Sequence, residues 1–352
     1  MTRISAATRV LLRDAVIFDA TLPGAPGYVL NRSDAIGDRL YAEFEKGGVT
    51  FAAATVCGDR QNSIQECIEA IAYARSWILA RPDRFVLVQG PGDVQRAKAE
   101  GKLGLGLAFQ GTNPFQNNLH MVELYRRLGI THALMAYNAR NRAADGCHER
   151  TDSPLSLFGQ SLVREMNRVG MIVDVSHTGY RSSMDALALT TAPAIFSHSG
   201  PRLHDHDRNI RDDQIEACAR TGGVIGLTGV GLFMSRAGTD IGAEIIVRHI
   251  DHVVQLVGAR HAGLGLDYVH DVTGMMQLLA DKPGFYRDGS YRVPEITFAS
   301  PALIPDIAEA LLRRNYPEAD VRGILGGNFM RVFTEVCWAP PPPAPLKETG
   351  HD

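Results

Sequence analysis

Two short apolar runs, each ending in Ser-His, constrain this chain most. MIVDVSH runs from Met171 to His177, and PAIFSHSG, from Pro193 to Gly200, carries His198. Between them YRSSMDALALTTA has the length of one helix and its two loops. A strand–helix–strand unit sets two parallel strands side by side, with their C-terminal ends at the same end of the sheet. Two imidazoles at neighbouring strand ends suit a metal site.

The same rhythm runs along the rest of the chain. Apolar runs rich in Val, Ile, Leu and Ala occupy Ala15–Leu22, Val49–Val56, Leu103–Gln110, Ile130–Tyr137, Met171–His177, Pro193–His198, Gly223–Thr228 and Ala262–Val269. They are apolar on both faces, as buried parallel strands are. Arg84–Val88 is a ninth short run, read as an accessory strand or an extension. Segments with apolar residues at three- and four-residue steps fill the intervals: Ser63–Leu79, Leu155–Val169 closed by Gly170, Asp240–Val257 and Pro301–Arg314. Eight β/α units in series predict a (β/α)8 TIM-like barrel with its site at the C-terminal ends of the strands. A doubly wound open sheet is the alternative. Residues 1–340 are read as one barrel domain with an irregular insertion at about 270–300, a lid or an oligomer contact. Residues 341–352 are a Pro-rich tail.

Composition narrows the partners. Of the 352 residues 45% are apolar and 21% charged, and the formal net charge is −3, with no long basic cluster for nucleic acid. Five scattered cysteines without a CxxC indicate neither a disulfide framework nor a cysteine zinc knot. No apolar run approaches the length of a membrane span, and the N-terminus lacks a signal-peptide pattern. The expectation is a cytoplasmic protein acting on a small molecule, with no nucleic acid or membrane partner.

The chemistry-bearing residues cluster at strand ends. His177 and His198 end the fifth and sixth of the eight principal runs, and Asp267, in GLGLD, ends the eighth. Two imidazoles and a carboxylate can bind a divalent ion such as zinc and leave a position for water. Asp267 can instead take the proton from that water. A single strand-end histidine is more often a hydrogen-bonded core residue, so the argument rests on all three together. Gln110, Asp19 and Thr21 are polar groups at the ends of apolar strands, and Tyr137 and Asn138 begin the loop YNARNRAADGCHER over the barrel mouth. Arg208, in HDHDRNIRDD, can fork onto a substrate carboxylate or pair with Asp205, Asp207, Asp212 or Asp213; composition alone favours the pairing. His204 and His206 read as a solvated surface pair. No Walker loop, dinucleotide fingerprint or nucleophile elbow is present.

These strings together resemble the membrane (renal) dipeptidase family of zinc metallopeptidases, in its bacterial branch. The likeness runs from about Asp14 to Val336 through EMNRVGMIVDVSH, PAIFSHSG, DRNIRDDQI, GLGLD and GGNFMRVF. It implies a (β/α)8 barrel that holds two zinc ions and hydrolyses small dipeptides, often with a D-residue at the C-terminal position. It implies that His177 and His198 bind zinc, that Asp267 is ligand and proton acceptor, and that Arg208 binds the substrate carboxylate. The departures are specific. The family's strand-one His-x-Asp falls on Asp19 and Thr21, its bridging glutamate on Gln110, and its substrate-contacting histidine on Tyr137. A neutral amide bridges two dications poorly. The YNxxNxxxxGC loop is similar to that of a bacterial subgroup with the same changes.

The resulting expectation is a hydrolase of dipeptides or small amino-acid derivatives. One zinc ion per chain is held by His177, His198 and Asp267, with Asp19 or Gln110 completing the shell, and a second ion is weak or absent. Arg208, Tyr137 and Asn138 contact the substrate, and a homodimer is the analogy from similar barrels. The alternatives are the same metal site acting on a non-peptide molecule, and a non-catalytic binding barrel.

Overall fold

The computed structural model describes residues 4–28, 33–61, 63–281, 291 and 296–338. Nine strands are present among them: β1 Phe18–Leu22, β2 Phe51–Gly58, β3 Phe85–Leu87, β4 Leu103–Gln110, β5 Ile130–Leu134, β6 Ile172–Asp174, β7 Ile195–Ser199, β8 Val224–Leu227 and β9 Ala262–Leu264. All pair in parallel, in the order β2-β1-β9-β8-β7-β6-β5-β4-β3, and a β2–β4 pairing closes the ring. Eight strands form the barrel. β3, the ninth run of the sequence, pairs only with the start of β4, from Phe85↔Leu103 to Leu87↔Leu105. The open-sheet alternative is excluded by the closure.

The glycines of LGLGL serve that closure. A Cβ on Gly106 would lie 2.6 Å from the Phe51 ring, and one on Gly104 would lie 2.9 Å from the Thr50 carbonyl oxygen. β4 therefore approaches β2 more closely than a strand with side chains could.

Helix ends follow local chemistry. Ser63 Oγ accepts from Glu66 N at 3.1 Å at the start of the helix Ile64–Leu79, and Ser156 Oγ accepts from Gly159 N at 3.0 Å before Leu157–Val169. Gly170 closes the latter with φ 72°. The insertion departs from the irregular segment expected of it. It contains the helix Val272–Asp281, and Phe298 pairs with Val230 in an antiparallel bridge; residues 282–290 and 292–295 lie outside the described residues, as does the Pro-rich tail.

The two ends of the barrel differ in composition. At the strand starts, Phe18, Phe51, Ile172, Ile195 and Val224 pack on Phe329 and Phe333 of the helix Asn328–Val336. The Phe18 ring lies 4.8 Å from Phe333 and 4.3 Å from Phe51. Asn328 fixes this plug by donating its amide to the Ala259 and Ala262 carbonyls. The GGNFMRVF string is thus the apolar floor of the barrel, and the polar residues gather at the opposite end.

Candidate metal and substrate site

His198 lies within β7, whereas His177 and Asp267 lie three residues beyond β6 and β9. The strands end early because carboxylates intercept their backbone amides. Asp174 Oδ1 accepts from Ser176 N at 2.9 Å and Ser197 N at 3.1 Å. Asp19 Oδ1 accepts from Thr21 N at 3.1 Å and Leu266 N at 3.0 Å. Beyond these points the backbone turns. His177, Asp267 and Asn138 take left-handed φ values of 61°, 56° and 58°. Non-glycine residues rarely hold this conformation, and such strain concentrates at functional sites.

The turn aims His177 at His198. Their Nε2 atoms face one another at 2.9 Å. His177 Nδ1 lies 2.6 Å from Asn138 Oδ1, an acceptor, so the ring proton sits on Nδ1 and the lone pair on Nε2. His198 Nδ1 lies 2.9 Å from Thr21 Oγ1 and 2.7 Å from Ser197 Oγ, either of which can take its proton. Burial holds both imidazoles well below their ordinary pKa, with the Arg208 charge adding to the effect. Two neutral rings with facing nitrogens have the form of a ligand pair. The edge of a tetrahedron with zinc–nitrogen bonds of about 2.0–2.1 Å is about 3.3 Å.

Asp267 is half-buried, and desolvation pushes its carboxyl up to about 7; Arg208 opposes the shift and Asp19 adds to it. Burial also raises Asp19 to about 7, against the two amides on Oδ1, while its buried Oδ2 has no hydrogen-bond partner. Gln110 ends β4 and lines the same cavity as His177 and Asp267. Among the described residues no three His, Cys, Asp or Glu side chains converge as a complete metal shell.

Tyr137 and Asn138 lie beyond β5, and both touch His177. The Tyr137 ring stacks on the imidazole at 4.1 Å and 24°, and Asn138 supplies the acceptor at Nδ1. Asn138 is therefore placed to orient His177. Arg208 is buried and not paired across a charged loop as its composition suggested. It donates from Nη2 to the His198 carbonyl at 3.1 Å, and its buried Nε has no hydrogen-bond partner. Three of the four neighbouring acids are engaged elsewhere: Asp205 with Arg202, Asp212 with His252 and Asp213 with Tyr180. His204 and His206 are half-buried and not a solvated pair. His204 Nε2 contacts the Leu232 carbonyl, and His206 Nδ1 accepts from Arg208 N.

The sequence reading missed Asp59 and Arg60. Asp59 follows β2 and accepts from Asn113 N at 3.0 Å, Tyr137 N at 2.9 Å and Asn141 Nδ2 at 2.9 Å. It ties the loops after β2, β4 and β5 together; burial raises it to about 6 against these bonds. The rule that singled out Gln110, a polar group closing an apolar strand, applies equally to Asp59. Tyr291, from the insertion, also reaches the site: its ring lies 5.8 Å from His148 and 6.1 Å from Phe233.

The family model of the membrane dipeptidases, peptidase family M19, matches residues 33–283. The chain belongs to this family. That membership makes it a metal-dependent hydrolase of the dipeptidase type, and it agrees with the resemblance read from the sequence strings. A curated relative, the dipeptidase tcpJ of Claviceps purpurea, is 28% identical over 313 residues, covering 88% of this chain and 68% of its own. An amidohydrolase from Pseudomonas aeruginosa superposes with a TM-score of 0.84 at 28% identity, over 94% of this chain and 99% of that one. A metallopeptidase from Rhodobacter sphaeroides, solved with a phosphinate mimic of the dipeptide L-Ala-D-Ala, shares the fold, with a TM-score of 0.73 at 18% identity over 92% and 100% of the two chains.

Proposed function

We propose that this member of the membrane dipeptidase family hydrolyses the amide bond of a dipeptide or a small amino-acid derivative with one zinc ion per chain. The facing Nε2 atoms of His177 and His198 carry this reading. Asp267, and Asp19 through its unpartnered Oδ2 or Gln110, would complete the shell. A single ion is favoured because Gln110 is neutral and the Thr21 hydroxyl sits behind His198, against its Nδ1. When bound, the ion would polarise the scissile carbonyl and lower the pKa of a water to near neutrality.

The chain's own residues supply the rest. Asn138 fixes the His177 tautomer, and Thr21 and Ser197 fix that of His198. Asp267 can take a proton from the attacking water and return it to the leaving amine. Arg208 presents its buried guanidinium to the substrate carboxylate. Free cysteines, including the buried Cys57, Cys67, Cys218 and Cys337, accord with a reducing, cytoplasmic setting. Among the described residues no helix is long and apolar enough to cross a membrane.

Elemental analysis of the purified protein, with hydrolysis of an L,L- and L,D-dipeptide panel, tests this function. One zinc per chain is expected, with turnover abolished by chelation and lost in His177→Ala and His198→Ala. Zinc retained in those two variants, or turnover unaffected by chelation, sinks the assignment.

A further inference from the structure

Arg208 joins the carboxylate side of the site to the histidine pair. Its Nη2 donates to the His198 carbonyl at 3.1 Å, and its side chain shares a cavity wall with His177. It is buried, and among the described residues no carboxylate forms an ion pair with it. The guanidinium faces the Phe233 ring instead, with its central carbon 5.1 Å from the ring centroid. Phe233 is tied to the same loop, because its carbonyl accepts from Asn209 Nδ2 at 3.0 Å. An aromatic face and one carbonyl hold a guanidinium in place without cancelling its charge.

That charge reaches both histidines. Glu149, Asp152 and Asp207 stand in the same cavity wall, yet the largest electrostatic effect on each ring, after burial, is that of Arg208. It disfavours a proton on either imidazole because the proton would bring a second positive charge beside the first. A divalent ion seeks the same lone pairs and meets the same repulsion with twice the charge. A carboxylate seated on Arg208 neutralises the source of that repulsion.

We propose that Arg208 couples the two halves of the site: its bare charge weakens metal binding at His177 and His198, and a ligand carboxylate on Arg208 strengthens it. This rests on the hydrolytic reading above and adds the regulation of that site. By linkage, the metal strengthens carboxylate binding by the same factor.

Zinc affinity of the full-length protein, measured by chelator competition, tests the coupling without any turnover. The titration is run at about pH 8 because Arg208 also favours the ionised form of Asp267, whose carboxyl lies at about 7 in the metal-free protein. Arg208→Gln removes the charge and Arg208→Lys keeps it, while both lose the guanidinium fork. Arg208→Gln should bind zinc about tenfold more tightly than Arg208→Lys. Propionate, a carboxylate with no amine to ligate the ion, should tighten zinc on the wild type about tenfold and leave Arg208→Gln unchanged. Calorimetry should find propionate bound more tightly by zinc-loaded than by metal-free wild type, by that same factor. Arg208→Gln binding zinc no better than Arg208→Lys overturns the coupling. So does a wild-type zinc affinity that saturating propionate leaves unchanged, or a propionate effect that persists in Arg208→Gln. If the affinities behave as expected while no dipeptide of the panel is hydrolysed, the hydrolytic reading fails and the coupling stands. If the panel is hydrolysed and propionate leaves zinc affinity unchanged, the reverse holds.

Discussion

Asp174 at the β6–β7 seam and Asp19 at the β1–β9 seam form the same local structure. Each carboxylate accepts, on Oδ1, the amide two residues ahead and an amide of the adjoining segment, and each leaves a buried Oδ2 without a hydrogen-bond partner. Their surroundings differ. Asp174 Oδ2 lies 3.8 Å from His132 Nε2, an imidazole kept below its usual pKa by burial and raised in part by Asp174. Asp19 instead acts on the neighbouring Asp267 carboxyl, raising it, while burial raises Asp19's own carboxyl to about 7. One carboxylate has a neighbouring imidazole and serves the scaffold beneath the histidine pair. The other faces like charge, the setting in which a cation would be stabilising. The same turn thus builds a support on one side of the barrel mouth and a vacant acceptor on the other.

The largest effect that would sharpen this contrast is on stability. Asp174→Ala leaves the Ser176 and Ser197 amides without their acceptor in the barrel interior, at a cost of about 3 kcal/mol. Denaturant titration should show that loss with or without zinc. A loss confined to the zinc-loaded protein would break the contrast by giving Asp174 a metal role.

A smaller effect falls on the metal alone. Asn138→Ala removes the acceptor that sets the His177 tautomer, so zinc affinity should drop about 10- to 100-fold while the fold is kept. Competition with a chromogenic chelator measures it. An unchanged affinity would mean that stacking on Tyr137 suffices to orient the ring.

The smallest effect is a pH dependence. In the metal-free protein, folded Asp19 keeps its proton up to about pH 7, whereas the unfolded chain releases it near 4. The unfolded state then binds fewer protons across this window, so the contribution of Asp19 to stability falls as pH rises. Asp19→Asn keeps the Oδ1 acceptor and cannot titrate. Between pH 6 and 8 the wild type should lose about 1 kcal/mol relative to the variant, read from paired thermal unfolding curves. A constant difference across that range would place the Asp19 carboxyl back with ordinary carboxylates.

Much of this was legible in the residues because it is written in local pattern. Apolar runs alternating with helical periods specify β/α units, and Ser63, Ser156 and Gly170 mark helix ends through bonds to residues a few positions away. The Ser-His endings pointed to His177 and His198. Other features were hidden by their dependence on distant partners. The ends of β6 and β9 were overread because the amides of Ser176 and Leu266, just past those strands, go to the carboxylates of Asp174 and Asp19 rather than to a neighbouring strand. Arg208 looked like one more charge in an acidic loop, and only packing shows it buried against His198. The helix Val272–Asp281 went unread although Asp271 caps it, its Oδ1 accepting from Gly274 N at 3.0 Å.

By itself, the sequence determined the succession of strands and helices, the histidine pair and the neutral glutamine at position 110. These rest on side-chain chemistry and short-range periodicity. The tertiary structure decided which nitrogen of each imidazole faces the other, which carboxylates accept backbone amides, and that Arg208 is buried against His198. Those depend on ring closure, which brings β1 and β9 together and places the Thr21 hydroxyl against His198, residues 177 positions apart in the chain.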